Sequence, residues 1–303
     1  MINKTLLFSL FCSLSWAANA KNYELYFLGG QSNMAGYGDV KKLPNEYSKP
    51  FEQVRIFQGN PQVDFKKGGG EGIWAALQPG MGHTFKSSKK NNQWSEDFGP
   101  ELSFGHAIAQ MRPEKNIAIV KYALGGTALG YGVGNNWFPD YRRGNGINQY
   151  DHFMNTLFNA LNVQDIDGDG ELDTFTPKGI VWMQGESDAY DSLTVANNYQ
   201  RNLTKMMALI RAALRSPDLP VVIGKITDSK MDPEDGLRMD YGSIVQAAQA
   251  NFVANDTCAD LVKITEKFTH LEDGWHYHSS DYIRLGEAFA KSVNQLNKQC
   301  STK

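Results

Sequence analysis

Cysteine is scarce in this 303-residue chain, with only Cys12, Cys258 and Cys300 present, so no dense disulfide scaffold can hold it together. Basic blocks are also missing. With a net charge of −3 the chain makes a poor partner for nucleic acid or an anionic membrane surface. No Gly-x-Gly-x-x-Gly fingerprint occurs, and no Lys-Ser/Thr pair follows Gly29-Gly30 or Gly125-Gly126, which argues against nucleotide binding. His276-x-His278 has no second His/Cys cluster to complete a zinc site. No internal repeat or low-complexity linker divides the chain. Long apolar runs are absent too. The one at Leu6–Leu14 follows Lys4, is too short to span a bilayer, and leads to a small-x-small site, Ala18-Asn19-Ala20. The expectation is a signal peptide over 1–20, cleavage after Ala20 and export to the periplasm or beyond. Ser9-Leu10-Phe11 lacks the small residues that precede a lipidated cysteine. Cys12 would leave with the leader, and in an oxidising compartment Cys258 and Cys300 could then pair if folding brings them into range.

What remains, 21–303, reads as one domain. Uninterrupted apolar runs at Tyr23–Leu28, Ile117–Tyr122, Gly179–Met183 and Pro220–Ile226 suit strands buried on both faces. Val195, Tyr199, Leu203, Met206, Ile210 and Leu214 recur at helical spacing until Pro217, and Ile283, Phe289, Val293 and Leu296 mark a final helix. This alternation implies a mostly parallel sheet with helices on both faces. The stretches at about 37–98 and 127–150 read as elaborated surface loops, whose Trp74, Trp94 and Trp137 are candidates to wall a groove.

Three of the strands run straight into distinctive loops: Gly29-Gly30-Gln31-Ser32-Asn33, Leu124-Gly125-Gly126-Thr127 and Gln184-Gly185-Glu186-Ser187-Asp188. Functional groups collect at the carboxyl ends of parallel strands, so the three point to one composite site. Ser32 as a nucleophile needs a base, and the base needs an orienting carboxylate. Of six histidines, only His276 follows an aspartate at short distance in a Gly/aromatic turn, Asp273-Gly274-Trp275-His276. Folding back would set Asp273 on Nδ1 and leave Nε2 for Ser32. His278 is the competitor but has no equally placed carboxylate. An oxyanion could be met by the N–H groups of Ser32 and Gly126 with the side-chain amide of Gln184 or Asn33.

The blocks Gly30–Gly36, Gly99-Pro100-Glu101, Lys121–Thr127, Trp182–Ala189 and Asp273–His276 occur in order over nearly the whole expected mature chain. Together they resemble the SGNH-type esterases of the sialate O-acetylesterase and family-6 carbohydrate esterase (acetylxylan esterase) group. The resemblance implies a flavodoxin-like three-layer α/β/α hydrolase that removes O-acetyl groups from sugars without a catalytic cofactor. Carried over, Ser32 is the nucleophile, His276 the general base, Asp273 its orienting partner and Gly126 the oxyanion glycine. The third block has Gln184-Gly185-Glu186 where the wider group offers an asparagine. Gln184 is therefore the expected third donor, with Glu186, Gln31 and Asn33 bracing the loops. The rival readings are a lipase or thioesterase on the same scaffold and a carbohydrate-binding protein without turnover.

One motif stands apart. Asp165, Asp167, Asp169, Glu171 and Asp173 alternate around Gly168 and Gly170, like the first three-quarters of a calcium loop. Thr176 stands where the closing glutamate belongs, so a structural calcium here would need another ligand.

Overall fold

The computed structural model describes residues 20–132, 134–140, 146–190 and 192–300. The expected leader, Ala20 apart, lies outside them. Among the described residues no helix is long and apolar enough to cross a membrane.

A seven-stranded sheet forms the centre. Its strands are β1 (Asn22–Gly30), β2 (Phe51–Gln58), β3 (Trp74–Leu77), β4 (Asn116–Ala123), β5 (Thr174–Met183), β6 (Val221–Gly224) and β7 (Ala259–Val262). Their order is β7-β6-β5-β1-β4-β2-β3, parallel throughout except for β3, which runs antiparallel at one edge. Strand β1 is buried along eight of its nine residues, as its apolar sequence requires of a strand flanked on both sides. Its register with β5 slips at Leu25/Tyr26, leaving Lys178 as the extra residue beside Pro177, which has no N–H for the ladder.

Helices cover both faces. They are α1 (Ser32–Ala35), α2 (Glu101–Met111), α3 (Gln149–Leu161), α4 (Glu186–Tyr190), α5 (Leu193–Ala213), α6 (Gly242–Asn255) and α7 (Ser279–Cys300). Adjacent residues of β1 point to opposite sides. Tyr26 packs edge-on against Phe104 of α2, with ring centroids 5.5 Å apart, and Phe27 meets Phe153 of α3 at 4.6 Å. Helix α7 packs on α2, and α5 packs on α6. The expected α/β architecture with a central, mostly parallel sheet flanked by helices is thus borne out.

One expectation needs correction. The stretch 37–98 is not only surface loop, because β2 and β3 within it complete the sheet. In Phe51-Glu52-Gln53-Val54-Arg55-Ile56-Phe57-Gln58 the polar Glu52, Gln53 and Arg55 mask a strand whose Val54, Ile56 and Phe57 are fully buried between β3 and β4. The stretch 127–150 carries a two-stranded ribbon, Thr127–Ala128 with Asn135–Asn136, and the start of α3. Cys258 and Cys300 form a disulfide with their Cα atoms 6.0 Å apart, tying the end of α7 to the chain just before β7.

Candidate active site

Strand β1 ends at Gly30, where φ is 148° and an added Cβ would lie 1.9 Å from the Met183 carbonyl oxygen. Only glycine permits that approach. The chain then turns into α1, beginning at Ser32, whose first N–H groups have no acceptor within the helix. Gly125 faces this turn so closely that a Cβ there would sit 3.4 Å from that of Ser32. Gly126 follows with φ 66°, and nothing lies within 4 Å of where a Cβ would stand.

The loop before α7 supplies the imidazole. Gly274, at φ 71°, closes a turn in which its N–H donates to the Leu271 carbonyl at 2.9 Å. The turn folds Asp273 back as expected: Oδ2 lies 2.6 Å from His276 Nδ1, while Oδ1 accepts the N–H groups of Trp275 and His276 at 2.8 and 3.0 Å. Burial pushes the Asp273 carboxyl up, but these bonds outweigh it and leave it below the usual carboxylate range. Ser32, Gly125, Gly126 and His276 all line one cavity of about 440 Å³, together with Gln31, Tyr37, His83, Ser187, Tyr190 and Trp275. Among the described residues no hydrogen bond joins Ser32 to His276. His278 is exposed and lies outside the cavity lining.

A buried polar network holds the serine turn from behind. Asn33 donates to Glu186 Oε1 at 2.8 Å and to the Trp275 carbonyl at 3.1 Å, and accepts the Tyr282 hydroxyl at 2.8 Å. It thereby links the segments that carry Ser32, Glu186 and His276. Burial raises the Glu186 carboxyl above its ordinary value, although the Asn33 amide pulls it down. Gln184 does not reach the cavity. It is fully buried, and its amide nitrogen donates to Asp188 Oδ2 at 2.6 Å and to the Thr127 carbonyl at 3.0 Å. Through these bonds Gln184 braces the loops, as does Gln31, whose side chain lies against Gly185 and Ser187.

Four participants have no role assigned from the sequence. Asp188 is buried and accepts the N–H groups of Leu129 and Gly130 at 2.9 and 2.8 Å, which fixes the chain just after Gly126. Lys121 and Glu101 form a fully buried ion pair of 2.6 Å, and Lys121 Nζ also donates to the carbonyls of Ala35 and Met81 at 2.9 Å. A lysine amid the apolar Ile117–Tyr122 run was the available signal, since a charge there demands a partner. Tyr37 stacks on both His83 and His276.

The aromatic walls also differ from expectation. Trp137 is fully buried against Trp182, Trp74 is packed on Phe57 and Phe175, and Trp94 lies on Phe85. None of them lines the cavity, whose walls come from Tyr37, Tyr190 and Trp275. Tyr37 and Tyr190 directly follow the short motifs and Trp275 lies within one, where packing places them on the site.

In the acidic loop, Asp165, Asp167 and Asp173 each offer an oxygen within 4.8 Å of the others. Asp169 and Glu171 stand outside that group. The ammonium of Lys21 sits on Asp167 and Asp169, and the Lys21 N–H donates to the buried Asp173 at 3.1 Å. Much of the mutual repulsion is thus already met by a lysine.

Residues 22–295 match the family described as carbohydrate esterase, sialic acid-specific acetylesterase. A probable carbohydrate esterase of Arabidopsis thaliana is 22% identical over 272 residues, 89% of each chain. The crystal structure of an Arabidopsis thaliana protein superposes with a TM-score of 0.58 at 20% identity, covering 91% of this chain and 99% of its own. NanS does so at 0.59 and 16% identity, covering 93% and 99%. A carbohydrate acetylesterase from Xanthomonas citri reaches 0.56 at 17%, covering 91% of this chain and 57% of its own.

Proposed function

The chain belongs to the sialic acid-specific acetylesterase family of carbohydrate esterases, and from that premise we propose that it removes O-acetyl groups from carbohydrate through Ser32, His276 and Asp273. Members of this family are carboxylic ester hydrolases. The observation that carries the proposed mechanism is that Ser32 and the Asp273-bound imidazole open into the same cavity, although 244 positions separate Ser32 from His276.

Ser32 Oγ attacks the acetyl carbonyl carbon while His276 Nε2 takes its proton. Asp273, held ionised by three hydrogen bonds, keeps Nδ1 protonated and steadies the imidazolium that forms. The oxyanion is met by the N–H groups of Ser32 and Gly126. His276 then returns the proton to the sugar oxygen as the C–O bond breaks, leaving acetyl-Ser32. Water, deprotonated by the same imidazole, attacks this ester and releases acetate. Tyr190 and Trp275, edge-on at 5.2 Å, line the cavity with aromatic surface on which a sugar ring can rest.

Export after cleavage at Ala20 completes the reading, and the Cys258–Cys300 disulfide supports an oxidising compartment. A structural calcium would draw on Asp165, Asp167 and Asp173, and it would have to displace the Lys21 ammonium.

The test is acetate release from acetylated glycans and from a small acetyl ester by the wild type and by Ser32→Ala. Loss of both activities in a variant that melts like the wild type is the expected result. Hydrolysis undiminished in Ser32→Ala would refute the mechanism. A preference for long acyl chains would favour the lipase or thioesterase reading instead.

A further inference from the structure

We propose that Tyr37 is a positioning residue for His276, holding the imidazole by face-to-face stacking in the orientation that serves Ser32. The inference rests on the Ser32–His276–Asp273 reading and goes beyond it. The rings of Tyr37 and His276 lie 3.5 Å apart between centroids and only 10° from parallel. A single bond from Nδ1 to Asp273 leaves the ring free to tilt about that bond. A flat aromatic face against it removes the freedom.

Tyr37 is itself held on several sides. Its hydroxyl is 3.3 Å from His83 Nε2, and the His83 ring stacks on it at 4.2 Å and 21°. The preceding residue, Gly36, donates to the Ser32 carbonyl at 2.8 Å and accepts the His83 N–H at 2.8 Å. The segment that presents Ser32 therefore also presents, five residues later, the surface on which the imidazole rests. Hydroxyl and imidazole are registered against one short piece of chain. That matters here because no direct hydrogen bond between them sets the distance among the described residues.

The surroundings suit an imidazole that becomes charged during turnover. Burial holds His83 below the usual histidine range, with Asp97 opposing, so at neutral pH its ring places no positive charge behind Tyr37. Burial likewise keeps Tyr37 protonated, its hydroxyl pushed up to about 12. Asp273 faces the imidazole from its own loop, and nearby His270 is also kept below its ordinary range by burial. An aromatic face that meets an imidazolium under these conditions stabilises it through the ring quadrupole.

The experiment compares Tyr37→Phe, which keeps the face and loses the hydroxyl, with Tyr37→Leu, which loses the face. Tyr37→Met carries the same expectation as Tyr37→Leu and replaces it if that variant does not fold. For a small acetyl ester, Tyr37→Leu is expected to lower kcat about 10- to 100-fold, with KM within about 3-fold. The downfield proton resonance of the His276–Asp273 bond should broaden with it. Tyr37→Phe should keep kcat within about 3-fold of the wild type and preserve that resonance. The inference is overturned if folded Tyr37→Leu retains wild-type kcat and resonance, or if Tyr37→Phe falls as far as Tyr37→Leu. Ser32→Ala measured alongside separates the two readings: activity surviving there refutes the mechanism itself, whatever Tyr37 does.

Discussion

Lys121→Met is the sharpest single perturbation of the scaffold behind the serine. Both members of the Lys121–Glu101 pair are completely buried, and Nζ makes three bonds: to Glu101 Oε2 at 2.6 Å and to the Ala35 and Met81 carbonyls at 2.9 Å. Methionine fills much of the same volume but supplies no donor. Glu101 would be left in the interior with only the Gly99 N–H, 3.0 Å from Oε1, and two carbonyls would lose their partner. Removing one partner of a buried pair costs about 3–5 kcal/mol, and the orphaned carbonyls set the loss toward the upper end. For a chain of this size that corresponds to a fall in melting temperature on the order of 10 °C. Lys121→Met/Glu101→Leu removes the stranded charge and should recover about half of the loss. Urea unfolding of the wild type, both single variants and the double variant gives the coupling energy directly. Because Ala35 closes the turn that begins at Ser32, esterase activity should fall in Lys121→Met even while it remains folded. A cost below about 1 kcal/mol for Lys121→Met alone would refute the reasoning, since a lysine that is lost so easily was not meeting a buried carboxylate.

Three other outcomes follow from the same contacts. Opening the Cys258–Cys300 bridge, which spans 42 positions, should cost about 4 kcal/mol by loop entropy, seen as a lower melting temperature in Cys258→Ser/Cys300→Ser or under reductant. Burial pushes Asp188 up to about 6 against the bonds from Gln184, Leu129 and Gly130, so the folded state holds this proton more tightly than the unfolded state does. The resulting stability is fully present below the ordinary carboxylate value near 3.8 and is lost as pH rises through 6, a swing of about 3 kcal/mol. The difference in unfolding free energy between wild type and Asp188→Asn should therefore change between those pH values and be flat outside them. Calcium added to metal-free protein should raise the melting temperature if the ion displaces Lys21 from the acidic loop, whereas an unchanged melting curve leaves that loop to the lysine.

Much of the fold was legible because parallel strands buried on both faces write themselves as unbroken apolar runs. Tyr23–Leu28, Ile117–Tyr122, Gly179–Met183 and Pro220–Ile226 each fall on an observed strand or its immediate edge. Strand β2 escaped because Glu52, Gln53 and Arg55 interrupt its pattern, and β3 because it has only four residues. The Asp273–His276 contact was readable for a local reason, since a three-residue offset around a glycine leaves a carboxylate little else to reach.

The sequence by itself determined the local elements: the strands, the tight turns at Gly30 and Gly274, and the pairing of Asp273 with His276, all governed by chemistry within a few residues. Only the tertiary structure decided which distant groups share an environment. It turned Gln184 inward to Asp188, brought Lys121 onto Glu101, and laid the Tyr37 ring on an imidazole 239 positions away. Such contacts depend on how seven strands are ordered and which face each residue meets, and no short-range pattern encodes that.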